Sequence, residues 1–267
     1  MEIGISTASL FTRENNEDAV KTLDELGAKV TEVFLETFPE YEEEFAKLLK
    51  SRMGNLKAHS VHVYTMHYEP ELFSDWDRSY KVAEGTFRKV LSSANILGAD
   101  HYTLHGKARI KKKGNYDDYK SVGERLDKLS HIAGEYGVKL CLENVEWSYY
   151  NRVGFFKEVK KYAPDLKGVL DIKQARLSGQ SYREYIEEMG EDIETVHLSD
   201  IDQSGRIRLP GKGLFDFKDL FERLSFVGFR GNMLIEVYAG DYGEKEELVE
   251  SLEYLRELKE KFFIREK

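Results

Sequence analysis

The segment GVKLCLEN, residues 137–144, sets a glycine before a short apolar run and places a carboxylate, Glu143, at the end of that run. Glycine adopts the left-handed backbone that closes a helix without steric cost. The run of Val138, Leu140, Cys141 and Leu142 is too short for a helix and has the composition of a buried strand. The segment therefore reads as helix end, turn, strand. The same order returns at Gly27, Gly98 and Gly228, each between a helical stretch and an apolar run. Working outward, eight strands are expected at residues 3–6, 30–35, 56–63, 101–105, 138–143, 168–171, 195–198 and 233–237. Their starts lie about 25–45 residues apart, which leaves room for one strand and one crossover helix each.

The stretches between the strands carry helical stripes. In the last of them Leu248, Val249, Leu252, Leu255, Leu258 and Phe262 recur at steps of three and four, with glutamates and lysines opposite. Strand–helix alternation of this kind implies a parallel sheet. Eight such units in 267 residues predict a single α/β domain, a (β/α)8 TIM barrel over residues 1–267, with its active site at the C-terminal strand ends. An open doubly wound sheet is the alternative, but no glycine-rich phosphate loop follows the first strand.

Composition narrows the function classes. Hydrophobic residues make up 41% and aromatic residues 12%, which excludes a disordered chain. Forty basic residues against 49 acidic ones give a net charge of −9. That balance disfavours nucleic acid or an anionic membrane as the main partner. No apolar run reaches the roughly 18 residues of a membrane span. The start, MEIGISTASL, lacks the pattern of a signal peptide. Cys141 is the only cysteine, so an internal disulfide is excluded and a cytoplasmic location is expected.

Ionisable residues mark the expected strand ends. His62 lies near the end of the third strand, His105 ends the fourth, Glu143 the fifth and Asp171 the sixth. His197 lies near the end of the seventh, in TVHLSD, and Glu236 near the end of the eighth, in MLIEV. In a barrel these six side chains meet at one mouth. Burying three carboxylates together costs several kcal/mol each or forces protonation, unless a cation joins them. An oxygen-rich set with imidazoles suits Mn²⁺, Mg²⁺, Co²⁺ or Zn²⁺. His59, three residues before His62, points to the opposite face and is read as structural. His131 falls in a helix, His67 in a loop, and His101 begins a strand.

These residues carry a resemblance. From GISTASL through LENVEW, HLSD and PGKG to MLIEV, the chain resembles the xylose isomerase-like TIM-barrel superfamily. That superfamily groups sugar isomerases and epimerases with endonuclease IV-type AP endonucleases. The resemblance to the isomerases and epimerases implies one divalent ion held by Glu143, Asp171, His197 and Glu236. It further implies that Glu143 and Glu236 are the catalytic acid/base pair, moving a proton through an enediolate of a sugar, a sugar phosphate or a cyclic polyol ketone. The resemblance to the nucleases implies an alternative, a metal-dependent phosphoester hydrolase with a second metal at His62 and His105. The third metal of those nucleases would need a histidine at Gln174 and an Asp-x-His pair where Gly205 and Ile207 stand, so that site is broken.

The remaining expectations concern substrate. Gln174, Arg206, Arg208 and Trp147 are candidate substrate-binding residues, with His62 and His105 if no second ion binds there. Lys212, in the PGKG turn, either favours an anionic substrate or lies in solvent. The segment KARIKKKG, with Lys107, Arg109, Lys111, Lys112 and Lys113, either meets a phosphate or forms a solvated loop. Tyr64, Tyr149 and Tyr150, like Trp147, either stack on a sugar ring or pack loops together. The partner is a small-molecule sugar or sugar phosphate, and a homo-oligomer is expected only by analogy with the family.

Overall fold

The computed structural model describes residues 1–64, 67–109 and 117–263. In chain order the strands are β1 (Ile3–Ile5), β2 (Val30–Leu35), β3 (Lys57–Val63), β4 (His101–Leu104), β5 (Lys139–Glu143), β6 (Lys167–Asp171) and β7 (Ile193–Leu198). Two short strands follow, β8 (Asp200–Ile201) and β9 (Ile207–Arg208), and then β10 (Asn232–Ile235). All but β8 and β9 form one eight-stranded sheet in the order β1-β10-β7-β6-β5-β4-β3-β2, and every ladder in it is parallel. The expected α/β barrel is therefore present, with strand positions within a few residues of those expected.

The ring closes between β1 and β2 through side chains. Thr31 Oγ1 donates to the carbonyl of Ile5 at 2.7 Å, and the Phe34 amide donates to Thr7 Oγ1 at 2.9 Å. Gly4 is required at this seam, because a Cβ there would lie 2.1 Å from the Val30 carbonyl oxygen.

Helices α1 (Asn16–Glu25), α2 (Glu43–Arg52), α3 (Asp77–Leu97), α4 (Tyr119–Gly134), α5 (Phe155–Lys160), α6 (Ile172–Leu177), α7 (Tyr182–Met189), α8 (Phe217–Phe226) and α9 (Glu246–Phe262) lie in the connections. The four glycines read as helix ends all have positive φ, from 73° to 80°. Of the α9 stripe, Leu248, Leu252, Leu255 and Leu258 are buried, while Val249 sits at the stripe's edge and is half-buried. Among the described residues no helix is long and apolar enough to cross a membrane.

The antiparallel pair β8–β9 was not expected, since two-residue strands leave no period in the sequence. It projects from the end of β7, and Asp200 organises the chain after it. The two Asp200 carboxylate oxygens accept from the amides of Ile201 at 2.7 Å, Gly211 at 3.0 Å, Gly213 at 2.9 Å and Phe215 at 2.9 Å. A Cβ on Gly213 would come within 2.4 Å of Asp200 Oδ1. The HLSD and PGKG motifs are thus two halves of one turn.

Gly4→Ala is expected to destabilise the protein by about 1–3 kcal/mol, through overpacking at a seam with no slack. Urea denaturation checks this; a loss below about 0.5 kcal/mol, the range of an ordinary surface change, would show that the seam opens without strain.

Candidate metal centre

The six strand-end residues meet at one mouth of the barrel. Glu143, Asp171, His197 and Glu236 are buried to within 6% of full enclosure. Asp171 is fixed by its backbone: its amide donates to Asn144 Oδ1 at 2.8 Å, and Asn144 Nδ2 donates to its carbonyl at 2.9 Å. This reciprocal clamp joins the ends of β5 and β6 and accounts for the asparagine in LENVEW.

His197 Nδ1 is the point of convergence. It lies 3.0 Å from Glu143 Oε1, 3.0 Å from Glu236 Oε2 and 3.9 Å from Asp171 Oδ2. On the other side of the ring, Nε2 lies 3.2 Å from Glu32 Oε1. Glu32 is fully buried, and its other oxygen accepts from Ser60 Oγ at 2.8 Å and Thr103 Oγ1 at 2.6 Å. Nδ1 donates to Glu143 Oε1; with the proton moved to Nε2, facing Glu32, the Nδ1 lone pair would face three carboxylates. Four electron-rich groups would then share one dry space, an arrangement that a cation there makes favourable.

The directions in which these groups titrate show the same demand. Burial pushes Asp171 up to about 7, and the Glu143 and Glu236 charges add to it against the pull of Lys173. Burial would lower His197, but the Glu236 and Glu32 charges and hydrogen bonds to Glu143 and Glu236 raise it well above its ordinary value. Glu32 Oε1, His197 Nε2 and Glu236 Oε2 are buried without a well-aligned hydrogen bond. Donor chemistry and orphaned atoms together fit a divalent ion held by Glu143, Asp171, His197 and Glu236.

His62 and His105 stand beside this set with ring centroids 4.3 Å apart. His62 Nδ1 donates to the Thr103 carbonyl at 2.9 Å, which directs Nε2 toward Glu143 Oε2 at 3.7 Å. His105 Nδ1 donates to Glu69 Oε2 at 2.8 Å. Glu69 is itself buried and accepts from Tyr102 Oη at 2.6 Å and the His105 amide at 3.1 Å. A protein acceptor on each Nδ1 fixes the tautomer, as around metal-bound imidazoles. One ligand atom each from His62, His105 and Glu143 lies within 4.8 Å of the others.

Three residues of the site escaped the sequence reading. Glu32 carried a usable signal, a carboxylate in the middle of the apolar strand VTEVFL. Glu69 sits in a loop, YEPEL, where nothing in the sequence marks burial. Lys173 follows Asp171 by two positions, and its ammonium lies 3.7 Å from Glu236 Oε1 and 3.9 Å from Asp171 Oδ2.

The substrate candidates divide. The Trp147 ring packs beside His105 at 5.3 Å, at the site. Gln174 Oε1 accepts from the Glu146 amide at 3.1 Å. Arg208 is paired with Asp202 at 2.8 Å, Lys212 with Glu250, and Arg109 with Glu146 at 3.3 Å. Arg206 is exposed on the hairpin turn. Tyr149 and Tyr150 are buried and pack loops, whereas Tyr64 is 41% exposed. Lys107 stacks over Tyr149, while Lys111, Lys112 and Lys113 lie outside the described residues.

The IOLI protein, solved with a bound zinc atom, superposes with a TM-score of 0.81 at 18% identity, covering 99% of this chain and 100% of that one. D-Psicose 3-epimerase from Clostridium cellulolyticum, solved with D-tagatose, gives 0.78 at 17% identity, with 97% and 99% covered. The 3-keto-D-glucoside 4-epimerase YcjR from E. coli gives 0.76 at 18% identity, with 96% and 99% covered. At these identities the likeness is one of fold. No curated protein sequence matches the chain. The sequence profile of one family, the xylose isomerase-like TIM barrel, matches residues 18–258. The chain belongs to the xylose isomerase-like TIM barrel family.

Proposed function

We propose that this protein is a divalent-metal-dependent isomerase or epimerase of a sugar, a sugar phosphate or a cyclic polyol ketone. The observation that carries the reading is the convergence of Glu143, Asp171 and Glu236 on His197 Nδ1. Structural neighbours named as sugar epimerases, and one solved with zinc, support it.

Glu143, Asp171, His197 Nδ1 and Glu236 hold the ion. When bound, it supplies a Lewis acid for neighbouring carbonyl and hydroxyl oxygens of the substrate. Glu143 and Glu236 reach the same nitrogen from different strands, so their carboxylates flank the space above it. One takes the proton α to the carbonyl and the other returns a proton, giving an isomer or an epimer according to where it is returned. Glu32 holds the Nε2 proton of His197 and so keeps Nδ1 available to the ion. His62, His105 and Trp147 form the wall on the β3–β5 side and position substrate hydroxyls, with Gln174 next to them. Arg206 lies within the span of the hairpin for an anionic group; Arg208 must first leave Asp202.

A second reading, a phosphoester hydrolase using two ions, is favoured by the grouping of His62, His105 and Glu143. Gln174, Gly205 and Ile207 argue against the full nuclease cluster.

Elemental analysis of protein purified without chelator is expected to find about one Mn, Co, Mg or Zn per chain, lost in Glu143→Ala. About two zinc ions, with cleavage of a phosphodiester, would favour the hydrolase instead. Glu143→Gln and Glu236→Gln are each expected to lower turnover about 10²–10⁴-fold on a ketose and inosose panel, with an unchanged circular dichroism spectrum. Full activity in either variant would end the assignment. Glu32→Gln is expected to weaken metal affinity about 10–100-fold, measured by competition with a fluorescent chelator. Unchanged affinity would show that Glu32 does not orient His197.

A further inference from the structure

A cavity of about 720 Å³ forms a groove between α6 and the β8–β9 hairpin. That is within the range of about 300–1,000 Å³ typical of small-molecule sites. Its walls are mainly apolar, with Ile172, Ile201, Ile207 and Phe215. Two cations also line it, Lys173 and Arg176. They stand three residues apart on α6 and so share a face.

Lys173 connects the groove to the metal centre. It begins beside the end of β6 and crosses toward β10, where its ammonium approaches Glu236 Oε1 at 3.7 Å and the Tyr238 ring at 5.1 Å. Its side chain is 8% exposed. Arg176 lies at the outer part of the same face and has no carboxylate partner among the described residues. Its Nη2 sits 4.0 Å from the position a Cβ would take on Gly205, against the hairpin turn. Of the other cations near the hairpin, Arg208 is engaged by Asp202 and Lys212 by Glu250, while Arg206 is exposed on the turn and does not line the groove. The one carboxylate in the wall, Asp200, is turned to its own loop, with both oxygens taken by backbone amides.

We propose that this groove is the subsite for an anionic substituent of the substrate, a phosphate or a carboxylate carried on the sugar, held by Arg176 and met by Lys173 at the boundary with the metal centre. The proposal rests on the isomerase or epimerase reading for the identity of the sugar. A guanidinium without a partner over an apolar floor recognises a compact oxyanion by charge-assisted hydrogen bonds. Lys173 gives that anion a second cation on the path to Glu236.

The test is calorimetric titration of Mn²⁺-loaded protein with matched pairs of probes. D-ribulose 5-phosphate against D-ribulose is the phosphate arm, D-glucuronate against D-glucose the carboxylate arm, and inorganic phosphate is titrated alone. In the wild type the charged member of one pair is expected to bind about tenfold or more tightly than its neutral partner. Arg176→Gln and Lys173→Gln should each bring that ratio toward one. Arg176 is exposed, so its variant keeps the test valid if Lys173→Gln fails to fold. Equal affinity within both wild-type pairs, or a ratio that persists in Arg176→Gln, overturns the proposal. If inorganic phosphate binds the wild type but not Arg176→Gln while no sugar binds, the anion subsite stands and the isomerase reading falls. If neutral ketoses bind and turn over with no gain from phosphate or carboxylate, the isomerase reading stands and the subsite falls.

Discussion

One imidazole nitrogen, His197 Nδ1, faces three buried carboxylates, and the upper half of the barrel is organised around that convergence. Like charges at such distances in a dry space repel strongly, and the ladder contacts of the barrel would not hold them together unaided. The protein handles the repulsion on two levels. Glu32 behind the ring, supported by Ser60 and Thr103, sets a buried carboxylate 3.2 Å from His197 Nε2. Lys173 supplies one fixed positive charge from α6. Neither neutralises the cluster fully, and under the proposed function the remaining negative charge is what a divalent ion would meet.

The opposite end of the barrel shows that residue types alone do not decide such a reading. His59, Asp100 and His101 also lie close enough to surround an ion. There, however, both ring nitrogens of His59 are hydrogen-bonded, and His101 is held between two acids. His59 contacts Thr195 Oγ1 at 2.9 Å and Asn232 Nδ2 at 3.0 Å, and His101 meets Asp100 at 2.6 Å and Glu194 at 3.2 Å. Burial and the neighbouring His101 charge lower His59 to about 4, whereas hydrogen bonds to Asp100 and Glu194 raise His101 against its burial. Glu194 is in turn held by Lys139 at 2.9 Å. The cluster is closed on itself, whereas the one around His197 is not.

Much of the barrel could be read from the chain because each unit repeats one local grammar: a glycine at a helix end, a short apolar run, an ionisable residue at the run's end. Gly27, Gly98, Gly137 and Gly228 all have the backbone that this grammar requires. The six strand-end side chains meet for the same reason, since parallel strands of similar length bring their C-terminal ends to one height. What escaped the reading depends on contacts made across the chain. Glu69 reaches His105 over 36 residues, and Glu32 reaches Ser60 and Thr103 on other strands. Asp200 belongs to the HLSD motif that carries His197, and its carboxylate is spent on its own loop. Lys173 and the β8–β9 pair lack periodicity altogether, so only the folded chain displays them.

The Asp200 turn has a consequence for how this protein can diverge. The loop from 201 to 215 takes its shape from four main-chain amides gathered on one carboxylate and from the absence of a side chain at Gly213. Main-chain donors are the same for almost any residue, so Gln203, Arg206, Lys212 and Leu214 are released from maintaining the architecture. Selection can rewrite those side chains one at a time while the rim keeps its contour. A rim built this way lets a lineage explore new ligands without first re-solving the folding problem, so long as the single anchoring acid stays.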